Sequence, residues 1–442
     1  MDQRAEVVEL ETAVEQVARV AAIDVAKASG MVCTRLPGES NAGRRVQRTW
    51  AVAATTNDII ALGDHLVCQG IELVVMEATG VFWKPWFFLL EDRGLRVWLV
   101  NARDVKNVPG RPKTDKLDAI WLAKLAERGM LRPSFVPPAP VRVLRDLTRL
   151  RRTLTEDRTR YRQRIADVLQ DACLKLADPK QGLTDLFGVS GRAILAALVA
   201  GERDTKTLLT LAHHRLKGKS PYLEQALTGR FTGHHGYQVG MLLELHDRLD
   251  ADIAELTVRI EAAIAGIDPT RPPGDDHPGR PGLLDRLDEI PGISREIAAD
   301  IIGEIGVDMS VFPTGGHLVS WAKLTPRTIQ SGARSGHGPT GKGNRWIKGP
   351  LGQAAVAASR TKTFLGARFR RIVKHAPYKK AQVAVARNIL EIVWVLIDNP
   401  DARFTDLGPD WHTRHLDTAR RTRQHVRELE HLGYTVSLTP AA

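Results

Sequence analysis

The sequence predicts a mixed α/β domain at the front of the chain and all-α structure behind it. Short β-prone apolar runs alternate with helix-period stretches up to about residue 131, and long amphipathic stretches dominate afterwards. Between them "RPSFVPPAPV", residues 132–141, carries four prolines and reads as a joint. The resulting division is 1–131 for the α/β domain and 132–280 for a linker with a long helical, coiled-coil region. A C-terminal helical domain takes 281–400, and a helical tail 401–442.

The elements follow in order. "VARVAAIDVAK" and "GMVCTRL" are two strands joined by a turn at Lys27 to Gly30, and "TWAVAATT" is a third. "NDIIALGDHLVCQG" has helical spacing and a closing glycine, "IELVVMEAT" is a strand, "VFWKPWFFLLEDRG" a helix, and "LRVWLVNA" a strand. "TDKLDAIWLAKLAERG" then forms a helix with Thr114 as N-cap, Gly129 as stop, and Leu117, Ile120, Trp121 and Leu125 as its apolar side. The order β-β-β-α-β-α-β-α is that of a ribonuclease-H-like sheet.

Behind the joint, Leu144, Leu147, Leu154, Tyr161, Ile165 and Val168 approximate a heptad seam on an arginine-rich helix. "YQVGMLLELHDRLDADIAELTVRIEAAIAGI" is a second long helix suited to pack on it. "LLDRLDEIPGISREIAADIIGEIG" reads as helix, tight turn at Pro291 and Gly292, helix: a helix-hairpin-helix pattern whose turn would offer backbone N–H groups to a phosphate. "SGARSGHGPTGKGNRWIKGP" reads as a glycine-rich basic loop leading into the helix "NRWIKGPLGQAAVAASR".

Charge narrows the function. The chain carries a net +12, yet the 82 residues from Met309 to Leu390 hold fifteen Lys or Arg and no Asp or Glu, so the remainder is slightly acidic. Ordinary surfaces intersperse both signs. A local cationic excess fits a polyanion, whose neutralised phosphates release condensed counterions. No apolar run is long enough to span a bilayer, and the acidic N-terminus does not read as a secretion signal, so a cytoplasmic protein is expected. Cys33, Cys68 and Cys173 are far apart, which fits reduced thiols rather than a disulfide frame.

Four acids stand where chemistry would sit. Asp24 interrupts the apolar first strand, Glu77 ends the strand in "VVMEATG", and Asp115 and Asp118 share one flank of the first turn of the last helix. An uncompensated carboxylate inside a strand is costly. Mg²⁺ would satisfy all four with oxygen ligands and create a phosphoryl-transfer centre. The plainer alternative for Asp115 and Asp118 is stabilisation by the helix dipole. Lys106, Arg111 and Lys113, in the Pro/Gly-rich loop just upstream, are candidates to grip phosphate, the alternative being that the loop is a mobile connector. Ser331 sits in the basic glycine-rich stretch among Arg327, Arg334, Lys342, Arg345 and Lys348, with Ser335 competing for any nucleophilic role.

Taken together, "AIDVAK", "VMEATG", "NARDVKNVPGRPKTDKLDAIWLAKL", "IPGIS", "LTPRTIQSGAR" and "GKGNRWIK" resemble the insertion-sequence transposases that join a RuvC-like DEDD domain to a serine-bearing C-terminal domain, the bridge-RNA-guided recombinases. The resemblance implies that Asp24, Glu77, Asp115 and Asp118 hold the metal and that Ser331 attacks the DNA phosphodiester. It also implies donor and target DNA, a structured non-coding guide RNA and a tetramer built from dimers as partners. Where family members often show Ser-Ser-Gly-Gly, this chain has Gln330, Ser331, Gly332 and Ala333. Two rival readings are a Mg²⁺-dependent junction endonuclease that uses water, and a nucleic-acid-binding protein without catalysis.

Overall fold

The computed structural model describes residues 17–38, 44–78, 80–101, 114–178, 180–213, 218–269, 281–331, 334–415 and 418–439. It divides into two compact units between Val136 and Pro137.

The first unit holds β1 (Val20–Val25), β2 (Ser29–Pro37), β3 (Arg45–Ala53), α1 (Thr56–Cys68), β4 (Leu73–Glu77), α2 (Trp83–Glu91), β5 (Val97–Val100) and α3 (Asp115–Glu127). The strands lie in the order β3-β2-β1-β4-β5. The first three pair antiparallel, and β1, β4 and β5 pair parallel. This mixed sheet with its helices is consistent with the ribonuclease-H-like reading. Side chains alternate across a strand, so Ala21, Ile23 and Val25 pack with Ile59, Leu62 and Trp86 from α1 and α2. Val20 and Ala22 pack on the opposite face with Ala119, Leu122 and Ala123 of α3.

The buried side of α3 corrects the sequence expectation. Ala119, Leu122, Ala123, Leu125 and Ala126 are buried, whereas Leu117 is 38% exposed. Small residues let the helix approach the sheet closely, a preference that a count of large apolar residues overlooks. Cys33 lies in the same layer, where burial pushes its thiol up to about 11 and keeps it neutral.

The second unit contains α4 (Ala139–Asp171), α5 (Val189–Val199), α6 (Thr205–Thr210), α7 (Ser220–Leu227), α8 (Gly233–Ala265), α9 (Leu283–Asp288), α10 (Arg295–Ile305) and α11 (Gly315–Trp321). Beyond them come β6 (Pro326–Ser331), β7 (Arg334–Thr340), α12 (Arg345–Ser359), α13 (Phe364–Val373), α14 (Tyr378–Asp398), α15 (Trp411–Arg414) and α16 (Thr418–His431). The long helices α4 and α8 run antiparallel: His235 Nε2 lies 2.9 Å from Asp171 Oδ2, and Arg158 donates to Asp250 at 2.5 Å. Helices α5 to α7 close one end of this pair around Ile165, Leu169, Ile194 and Leu198.

The seam on α4 departs from a simple heptad. Leu144 and Ile165 are buried as read, but Leu147, Leu154, Tyr161 and Val168 are only half-buried, while Thr148, Arg151 and Leu169 are buried. The reason is a change of partner, because the first half of α4 packs on α10. Arg145 donates to the carbonyls of Gly303 and Glu304 at 3.1 and 2.6 Å, and Arg151 to Glu296 O and Asp300 Oδ1 at 2.9 and 2.8 Å.

A further departure concerns residues 326–340. Residues 326–331 and 334–340 pair as the antiparallel strands β6 and β7, so part of the stretch read as a glycine-rich loop from Ser331 is strand, with Gln330 opposite Ser335 and Ser331 opposite Arg334. Helices α9, α11, α12 and α13 gather on α14, whose Val385, Ile389, Leu390 and Val393 are buried. The buried guanidinium of Arg286 donates to the carbonyls of Leu396, Asn399 and Ala402, placing a cation at the negative end of α14.

Candidate active site

Register places the first two acids. The parallel β1–β4 pairing advances one for one to Ile23 opposite Met76, so Asp24 and Glu77 occupy the next pair of positions. Both fall on the α3 face, because they alternate with Ile23 and Met76, which face α1 and α2. Both also stand at the C-terminal ends of parallel strands, where open α/β sheets present ligands.

The direction of α3 settles the other two. Glu127, in its last turn, pairs with Arg35 Nε at 2.7 Å and with Arg45. Arg35 stands opposite Val20, at the far end of β1 from Asp24. Helix α3 therefore runs antiparallel to β1 and carries its N-terminal turn to the Asp24 end. Thr114 caps that turn, its Oγ1 accepting from Leu117 N at 3.3 Å. Asp24, Glu77 and Asp118 are half-buried and Asp115 is exposed. All four acids thus share one face and one end of the sheet.

A set of four carboxylates is hard oxygen chemistry and suits Mg²⁺. No three of them bring ligand atoms within 4.8 Å of one another. Like charges oppose such closure, and a divalent cation offsets that repulsion. Lys106, Arg111 and Lys113 lie outside the described residues.

Among the described residues, ligand atoms converge that closely at His246, Asp247 and Asp250 on α8, a group missed in the sequence although its members stand one and four residues apart. His246 Nδ1 lies 3.2 Å from Asp247 Oδ1 and 3.3 Å from Asp250 Oδ2. Each carboxylate is already matched by a guanidinium, Asp247 by Arg192 and Asp250 by Arg158, both at 2.5 Å. The His246 ring stacks on Phe187 at 4.8 Å, and Arg162 covers that phenyl ring at 4.5 Å. This is a bundle-tying polar network whose cationic places are taken by arginines.

In the second unit, Ser331 ends β6 at the tip of the hairpin, with residues 332–333 outside the description. The side chains of Ser331, Arg334 and Ser335 also lie outside it. The hairpin stands off the helices: Arg327, Thr328 and Gln330 are exposed, and Ile329 is 56% exposed. Its root is fixed, since Lys348 Nζ donates to Gly341 O at 2.9 Å and to Lys323 O at 3.3 Å. Burial pushes that ammonium below its ordinary range. Lys348 is therefore engaged by its own chain, whereas Lys342 and Arg345 face solvent.

The turn between α9 and α10 has a packing role that sequence does not reveal. Gly292 has φ +94°, and a Cβ there would sit 2.2 Å from Ala354 O on α12. Only glycine allows this contact. Nearby, Glu304 on α10 is 1% exposed and accepts two bonds from Arg149 at 2.7 and 2.9 Å and one from Asn344 Nδ2 at 2.5 Å. Asn344 in turn caps α12, its Oδ1 accepting from Trp346 N at 2.9 Å. The helix that follows the hairpin is thus braced by a buried carboxylate.

Two known family models match the chain, and both describe transposases. A DEDD-type model described as "Transposase" covers residues 21–174, the acidic sheet face included. A second, "Transposase IS116/IS110/IS902 family", covers residues 284–370, which take in the hairpin. The chain is thus a transposase, an enzyme of DNA recombination whose substrate is DNA. It belongs to the IS110-family transposases. No curated protein matches it. DEDD transposase domains typically use a divalent metal. No described helix is long and apolar enough to cross a membrane.

Proposed function

We propose that this transposase cuts and rejoins DNA strands with two sets of groups, the carboxylates of Asp24, Glu77, Asp115 and Asp118 and the hydroxyl of Ser331. The observation that carries the reading is the registered pair Asp24 and Glu77 on the face to which α3 delivers Asp115 and Asp118. The four acids would hold Mg²⁺, which supplies polarisation of the scissile phosphate. Ser331 Oγ forms a bond to phosphorus as the bond to the 3′-oxygen breaks. The serine loses a proton and the departing oxygen gains one, so the step is neutral in protons. Attack by a different 3′-hydroxyl on the phosphoserine reverses it and joins a new partner without nucleotide hydrolysis. Exposed Arg327, Lys342 and Arg345 offer cations to the DNA backbone.

The resemblance to bridge-RNA-guided recombinases supports further parts of the proposal. These are a structured guide RNA, donor and target DNA held together, and a tetramer in which one subunit's serine hairpin completes another's acidic site.

Incubation with DNA and Mg²⁺, followed by denaturing electrophoresis, tests the reading. A protein–DNA adduct is expected from the parent chain and from Ser335→Ala. Ser331→Ala and Asp24→Asn should reduce it to background. Cleavage that persists in Ser331→Ala without any adduct would instead establish a water-using nuclease. Unchanged activity in Asp24→Asn would remove the metal site from the mechanism.

A further inference from the structure

In the second unit, a run of rings in mutual contact joins α13 to α15. Trp411 meets Phe364 edge-on at 5.3 Å, and His412 lies 4.8 Å from the same phenyl ring. His415 lies nearly flat on Trp411, with ring centres 4.5 Å apart and planes 21° apart. Its Nδ1 is 2.9 Å from Trp411 O, which holds the imidazole parallel to the indole. Phe364, Trp411 and His412 are half-buried and His415 is exposed, so the stack opens to solvent.

The surroundings are cationic. Burial, with Arg371 and Arg368 adding to it, holds the His412 imidazole below its ordinary range. Burial likewise lowers Arg368, and Arg371 and Arg387 crowd it while Glu391 opposes them. Arg368 Nε and His412 Nε2 are themselves buried and have no hydrogen-bond partner among the described residues. Of the acids nearby, Asp406 accepts from Phe364 N at 3.0 Å and Glu391 from Arg387 at 3.0 Å, and Asp410, next to Trp411, is exposed.

Tail anchoring accounts for Trp411 on Phe364, and an i,i+4 contact for His415 on Trp411. Neither accounts for crowded guanidiniums beside an open ring stack. A polyanion supplies the missing charge, and exposed rings favour bases whose faces are free, which means unpaired ones. We propose that Trp411 and His415, flanked by Arg368 and Arg371, form a stacking platform for unpaired nucleotides of a single-stranded polynucleotide. Residues 411–415 lie outside both family matches, whereas Phe364 and Arg368 fall within the second. The platform deepens the transposase reading by giving a strand outside the duplex a place to rest. RNA and unwound DNA share the chemistry of base face and phosphate.

Labelled oligouridine, oligothymidine and a DNA duplex, each titrated with the full chain and followed by fluorescence anisotropy, test the platform. Trp411→Ala and His415→Ala should weaken single-strand binding by about ten-fold or more and leave duplex binding unchanged. Trp411→Phe should restore most of the affinity, because any aromatic face stacks. Arg371→Gln should lower the salt slope by about one. Tighter binding of oligouridine identifies RNA as the occupant, and equal binding identifies base and phosphate alone; both support the platform. Should Trp411→Ala melt early, photocrosslinking of 4-thiouridine RNA to the parent chain replaces it, with a crosslink expected within residues 411–415. Crosslinks confined to other segments, or equal losses for duplex and single strand, overturn the proposal. Because the readout is strand binding rather than adduct formation, failure here leaves the Ser331 chemistry standing, and failure of the adduct assay leaves the platform standing.

Discussion

Glu304 shows what one residue does for the second unit. Its carboxylate is almost wholly buried between α4 and α12, matched by Arg149 and by Asn344. Arg145 Nε approaches to 3.8 Å, although burial pushes that guanidinium below its ordinary value. Removing Glu304 leaves the partly buried guanidiniums of Arg149 and Arg145 without their carboxylate, a loss of roughly 3 kcal/mol. Glu304→Ala is therefore expected to lower the thermal midpoint by on the order of ten degrees, read by circular dichroism. A midpoint within about two degrees of the parent would show that water replaces the carboxylate without cost. The same substitution also frees the cap of α12, so the helix behind the serine hairpin should fray first, visible as faster amide exchange at Trp346 and Ile347.

At the scale of elements, the contact of α10 with α12 turns on Gly292. Its positive φ and the 2.2 Å approach of Ala354 O leave no room for a methyl group. Gly292→Ala should cost at least about 2 kcal/mol, measured by denaturant titration. If the turn also holds phosphate, the folded fraction should bind duplex DNA more weakly as well; unchanged affinity would leave packing as its whole role. Elements with strong patterns were legible in the sequence: the strands carrying Asp24 and Glu77, the Thr114 cap, and the helix after Asn344. Hairpin β6–β7 was not, because its exposed faces need no apolar alternation and its glycines mimic a loop. Nor were the buried partners of Arg145, Arg151 and Arg286, since a helical arginine reads as solvated until a neighbouring helix supplies its acceptors. The clamp of Glu127 on Arg35 and Arg45, which aims α3, joins residues far apart in sequence and has no local signature.

At the scale of the molecule, the acids belong to one compact unit and Ser331 to the other. The proposed chemistry requires them to meet, either within a chain or between chains, and a mixing experiment separates the two. Asp24→Asn retains the serine and loses an acid, whereas Ser331→Ala does the reverse. If every site lies within one chain, each mixed assembly contains only defective sites and no adduct appears. If the hairpin of one subunit serves the acids of another, random mixing in equal amounts gives intact acids at half the sites and an intact hydroxyl at half of those. About a quarter of parental adduct formation should then return. The hairpin's exposure along β6, with Ile329 open to solvent, favours the second outcome, because an isolated two-stranded ribbon is marginal until something packs on it. Absence of adduct from mixtures shown by native mass spectrometry to contain both chains would confine the serine and the acids to a single polypeptide.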